Sequence, residues 1–157
     1  MGDQAADIRE KWIVSACLVG LRTRYDGRDA LSHPARKLVE AGLAVPFCPE
    51  QAGGLATPRT PAEIVGGDGH AVLAGLAKVF DKNGNDVTGQ FIKGAQEMLA
   101  LARLLGAKNA VLKSLSPSCG VGAIYDGTFT RALVQGDGVA AALLKEAGLK
   151  VISEKEI

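Results

Sequence analysis

A chain of 157 residues, 47% hydrophobic and 22% charged, has enough apolar material for one compact core and too little length for a second full domain. Its 18 Lys and Arg stand against 17 Asp and Glu with no block of like charge, so neither a long nucleic acid nor a membrane surface finds an electrostatic footprint, and a small-molecule partner is expected. The polar start, with Asp3, Asp7, Arg9 and Glu10, is the reverse of a signal peptide, and no apolar run approaches the roughly 20 residues of a membrane span. A cytoplasmic protein with reduced thiols is expected, with residues 1–11 as a polar extension and the oligomeric state left open.

Residues 12–16 and 43–47 are short and apolar and read as buried strands. Between them, residues 19–30 carry Arg22, Arg24, Tyr25, Asp26 and Arg28 and are too polar to pack. They form a loop, expected to be chiefly a knot of ion pairs, with capacity for an anion. Ser32 caps a helix that includes Leu38 and Val39, begins near Pro34 and stops at Gly42. Residues 51–61, rich in Gly, Pro and Thr, read as loop, with Pro61 and Glu63 starting no more than a brief turn. Within it Gly53, Gly54, Pro58 and Arg59 shape a tight wall. Val79 and Phe80, an Asn83-Gly84 turn and Val87 predict a small hairpin insertion.

Thr88 is the expected cap of an amphipathic helix that places Phe91, Ile92, Ala95, Met98, Leu99, Ala102 and Leu105 on one face and ends at Gly106. A third apolar run, 110–112, leads into a Ser-rich loop, and Tyr125, Asp126 and Gly127 form a turn folding back over that region. Residues 138–147 read as helix, Gly148 as its stop and 149–152 as a last strand. The alternation predicts an α/β fold: a single Rossmann-like domain over residues 1–157, with a mostly parallel four-stranded sheet and helices on both faces.

Cys17, Cys48 and Cys119 follow the three apolar runs, and a parallel sheet brings all of them to its carboxyl edge, where open α/β folds build their sites. An odd number of thiols in a reducing compartment makes a poor disulfide framework and a good metal site. Any one of these cysteines alone reads as a small buried hydrophobe; their repetition at strand ends points to a shared site. Zinc on three Cys, with water, His33 or His70 as fourth ligand, is one reading, although structural zinc sites usually present Cys in closely spaced pairs and none occurs here. A four-iron cluster is the sharper reading, because three thiolates leave one iron free to bind a soft atom such as sulfur.

The strings SACLVGLRTRYDG, VPFCPEQAGGLATPRTPAEI, VTGQFIKGAQEMLALARLLGAKNAVLKSLSPSCG and IYDGTF together resemble the thiouracil desulfurase family, over nearly the whole chain and without departure in these motifs. The resemblance implies a [4Fe-4S] cluster on three cysteines, matched by Cys17, Cys48 and Cys119. It also implies non-redox removal of sulfur from 2-thiouracil or a related thiolated pyrimidine, giving uracil and sulfide, with the open iron accepting the sulfur.

Glu50, two residues past Cys48 in CPE, is the first candidate for general acid or base, activating water or relaying a proton to the leaving sulfur. The residues alone serve a ligand-orienting carboxylate equally well, and the resemblance tips the choice to catalysis. Ser116, in SPSC, is the second catalytic candidate. Ser114 and Ser118 compete with it, most loop serines bond nearby backbone, and the choice of Ser116 rests partly on the resemblance. Lys113 is placed to neutralise cluster charge. The alternative is a non-enzymatic iron–sulfur or thiol sensor or sulfur carrier. A desulfurase acting on thiolated transfer RNA is weaker, since the chain lacks a basic face. Free base, nucleoside and nucleotide are not distinguished.

Overall fold

The computed structural model describes residues 10–157, so the expected extension lies outside it except for Glu10 and Lys11. The chain begins with β1 (Trp12–Ser15), a 3-10 turn (Ala16–Val19), α1 (His33–Glu40), β2 (Ala44–Phe47) and the one-turn α2 (Pro49–Ala52). Next come β3 (Ala62–Val65), α3 (Gly69–Leu73), β4 (Lys78–Asp81) and the long α4 (Thr88–Leu105). The remainder is β5 (Asn109–Leu112), β6 (Ala123–Tyr125), β7 (Leu133–Gln135), α5 (Val139–Glu146), β8 (Lys150–Ser153) and a 3-10 turn (Glu154–Glu156).

β2, β1, β5 and β8 form a parallel four-stranded sheet in that order. Alternation along the strands divides the core in two. Ile13, Ala110 and Leu112 belong to one apolar cluster with Phe91, Met98 and Ala102 of α4 and Leu144 of α5. Val14 and Val111 belong to the other, with Leu18 and with Ala35 of α1. Helices therefore cover both faces, and each large side chain fully buried among them contributes about 1.5–3 kcal/mol of transfer free energy. The strand order reverses between β1 and β5, and at such a point the carboxyl edge opens into a crevice.

α2 is held against α4 by two glycines. A Cβ on Gly94 would run into the Pro49 carbonyl oxygen, and one on Gly53 into the carbonyl of Gln90. This backbone-to-backbone approach needs glycine on both sides, and it fixes the turn that begins directly after Cys48 and carries Glu50.

Ser32 caps α1, its side chain accepting the Ala35 amide at 3.4 Å. Gly106 ends α4 in the left-handed conformation, φ 66°. Three expectations need correction. The hairpin partner of β4 is β3, paired antiparallel from Ala62↔Asp81 to Val65↔Lys78, whereas beyond the Asn83-Gly84 turn a lone Phe80↔Asp86 bridge forms. The cause is Asp81, whose carboxylate accepts from the Asn83 and Asn85 amides and the Asn85 side chain, curling the chain toward α4 instead of letting it run back as a strand. Residues 62–65, read as at most a brief turn, are that missing strand. Thr88 is not a cap: Val87 holds that position, and the Thr88 hydroxyl accepts from the Val79 amide of β4 at 2.9 Å. A second hairpin, β6 with β7, occupies the region expected to fold back as a turn.

Candidate active site

The carboxyl ends of three parallel strands deliver the three thiols. Cys17 lies in the turn after β1, Cys48 directly follows β2, and Cys119 ends the loop that leaves β5. All three are free, Cys17 and Cys119 are buried, and all line one cavity of about 520 Å³, a size typical of pockets that enclose small molecules. Burial pushes the Cys17 thiol up to about 12, with Cys48 adding to the rise and Lys113 and Arg24 opposing it. Cys119 is driven further up by burial, eased by Ser15 and raised again by Cys17 and Cys48. Burial favours the neutral thiols, and a bound cationic centre would be what stabilises their thiolates.

Among the described residues no three His, Cys, Asp or Glu side chains converge closely enough to hold a single metal ion. The two histidines lie elsewhere. His33 begins α1 at the surface, and both ring nitrogens of His70 are engaged, Nε2 at 3.0 Å from Asp137 and Nδ1 at 2.8 Å from Glu146.

Glu50 enters the cavity from α2, its side chain 13% exposed. Its Oε1 accepts from Arg59 Nε at 2.9 Å, and its Oε2 accepts from Ser118 Oγ at 2.7 Å, with Ser116 Oγ further off at 3.4 Å. The single Ser118 proton goes to this short bond, so the 2.9 Å contact between Ser116 and Ser118 has Ser116 as donor. Ser116 Oγ meanwhile accepts the amides of Ser118 and Cys119 at 3.1 and 3.0 Å. The hydroxyl therefore ties down the backbone beside Cys119 and also heads a hydrogen-bonded line, Ser116 to Ser118 to Glu50. Ser114 stands apart, because its amide and hydroxyl both donate to Glu154.

A family model described as 2-thiouracil desulfurase matches residues 13–156. The chain belongs to the 2-thiouracil desulfurase family. It is 51% identical over 145 residues to the uncharacterized protein YbbK of Bacillus subtilis (strain 168), covering 92% of this chain and 96% of that one. Its fold matches a solved structure, the [4Fe-4S]-dependent thiouracil desulfidase TudS, with a TM-score of 0.83 at 43% identity, over 95% of this chain and 93% of the other. The family match covers every element of the sheet and every thiol-bearing loop, which agrees with the α/β architecture read from the sequence.

Two charged groups at this family site escaped the sequence reading. Arg59, taken there as wall, is the partner of Glu50, its side chain 8% exposed. It donates also to the Thr23 carbonyl at 2.8 Å and to Thr57 Oγ1 at 2.8 Å, so it fastens the loop after Cys17 to the carboxylate. Glu154, just past β8, pairs with Lys113 at 3.1 Å. Burial opposes ionisation of Glu154, but the Ser114 amide and the Lys113 ammonium together hold its carboxyl below the ordinary range. A signal was present for both, since a charged residue inside a Gly- and Pro-rich loop or at a strand end needs a partner once buried, but the sequence does not show which residues become buried. Of the ion-pair knot expected of residues 19–30, the Arg24–Asp26 pair forms, at 3.3 Å, while Thr23, Arg24 and Tyr25 also line the cavity.

Proposed function

We propose that the whole chain is one cytoplasmic desulfurase domain that removes sulfur from 2-thiouracil or a related thiolated pyrimidine, giving uracil and sulfide, with Cys17, Cys48 and Cys119 holding a [4Fe-4S] cluster. The observation that carries this reading is the meeting, in one cavity, of three strand-end thiols and the Glu50 carboxylate. When bound, the cluster held by Cys17, Cys48 and Cys119 would supply Lewis-acidic iron, which polarises a thiocarbonyl group toward attack by water.

Glu50 is the general base in this reading, taking a proton from the water that adds to the thiocarbonyl carbon and returning it to the departing sulfur, while the remaining hydroxyl proton leaves to solvent as the C–S bond breaks and the carbonyl forms. Arg59 keeps the carboxylate in one orientation and balances its charge. Ser116, the second catalytic candidate, acts on the base through Ser118: its hydroxyl holds the Ser118 and Cys119 amides and donates to Ser118 Oγ, which donates to Glu50, so displacement of either serine is felt at the base. Lys113, locked by Glu154, places positive charge beside the thiolates. A thiol-based sensor is opposed by burial, because redox-sensing cysteines need accessible thiolates, whereas Cys17 and Cys119 are buried.

Incubating the anaerobically iron-loaded protein with 2-thiouracil and no electron donor is expected to yield uracil and sulfide in equal amounts. An obligatory reductant, or a colourless zinc-binding chain with no uracil formed, would overturn the reading.

A further inference from the structure

The cavity that holds the thiols is also lined by the β6–β7 hairpin and its tip, through Tyr125, Phe129 and Arg131. Phe129 and Arg131 hold φ of 58° and 67°, a left-handed conformation that side-chain-bearing residues seldom keep without support from outside. Within the tip, Asp126 closes the turn on itself by accepting the Thr128 amide and hydroxyl at 3.0 and 2.6 Å. Attachment to the body of the protein comes from β3. Oε1 of the buried Glu63 accepts the amides of both Gly127 and Phe129, at 2.9 and 3.1 Å. Gly127 lies so close to that strand that a Cβ on it would sit 2.6 Å from the Ile64 carbonyl oxygen, and its φ is 93°.

We infer that Glu63 is a positioning residue: a single carboxylate oxygen on β3 holds the 126–132 loop in its strained shape, and so sets the Phe129 and Arg131 wall against which the substrate rests. Because both bonds end on one oxygen, a neutral carbonyl can accept the same two amides, keeping about half the strength of the charge-assisted pair. Glutamine keeps the anchor and alanine removes it. A role for Glu63 as a charge, whether binding substrate or moving a proton, predicts instead that glutamine fails like alanine. The kinetic part of the inference rests on the desulfurase reading; the anchoring part does not.

The test is amide hydrogen exchange of the 126–132 peptide together with KM and kcat for 2-thiouracil, in iron-loaded parent, Glu63→Ala, Glu63→Gln and Gly127→Ala. Glu63→Ala and Gly127→Ala are expected to speed exchange at residues 127 and 129 roughly tenfold or more, as loss of one or two charge-assisted bonds implies. In both variants KM rises about tenfold while kcat stays within about threefold, the pattern of a lost binding wall with intact chemistry. Glu63→Gln stays within about threefold of the parent in exchange and in KM. Unchanged exchange in the alanine variants, or a glutamine variant that matches alanine, overturns the inference. Should Glu63→Ala fail to fold, Gly127→Ala and Glu63→Gln decide it by the same criteria. Should the parent release no uracil, the desulfurase reading fails while the exchange result still tests the anchor.

Discussion

Cys119→Ala is expected to abolish uracil formation and to leave a chain that retains no intact cluster, as counted by iron and acid-labile sulfide per chain. The side chain is 4% exposed, so alanine occupies the site without a new polar group and costs the fold only about 1 kcal/mol, as expected for trimming a small buried side chain. What disappears is one of the three proposed ligands, and no histidine lines the cavity to replace it. With two thiolates left, one more iron of a four-iron cluster lacks its protein ligand, so a binding reaction that depends on thiolate formation loses one of its three protein bonds. Cys17→Ala is expected to act in the same way. Full iron content and full activity in Cys119→Ala would remove this residue from the ligand set.

Glu50→Gln is expected to lower kcat about 10²–10⁴-fold, the usual range for loss of a general base, with iron content unchanged. The substitution keeps the volume and preserves an acceptor for Ser118, but it cannot take a proton and leaves the guanidinium of Arg59, 2.9 Å away, without its anion. A proportional fall in iron content and activity would identify Glu50 instead as a carboxylate that orients the cluster ligands. An unchanged kcat would exclude it from proton transfer. Ser116→Ala and Ser118→Ala help to read this outcome, since both hydroxyls lie in the line that ends on Oε2.

The parallel sheet was legible because its strands are short apolar runs closed by Gly stops or polar loops, and because a strand-end position recurs for all three cysteines. That logic needs only the direction of the chain through a sheet. The β3–β4 pair was not legible. Ala62, Glu63, Ile64 and Val65 follow Pro61 in a Gly- and Pro-rich stretch, and four residues give too short an alternation to outweigh that context. The polar pairs depend on burial more than on pattern. Arg59 lies nine residues past Glu50 and reaches it at 2.9 Å, while the turn that presents Glu50 is set by Gly53 and Gly94, a contact between segments 41 residues apart. The choice among the loop serines shows the same limit. Ser114, Ser116 and Ser118 have the same spacing and chemistry, and the separation of Ser114 from the other two follows from Glu154, 40 residues further along the chain.

The central claim is that Cys17, Cys48 and Cys119 leave one iron for the substrate. Mössbauer spectroscopy of protein loaded with iron-57, with and without 2-thiouracil, tests it directly. About a quarter of the iron signal, one iron of a four-iron cluster, is predicted to change when substrate is added while the remainder stays as it was. A spectrum left unchanged by substrate under conditions where uracil is being formed would contradict it.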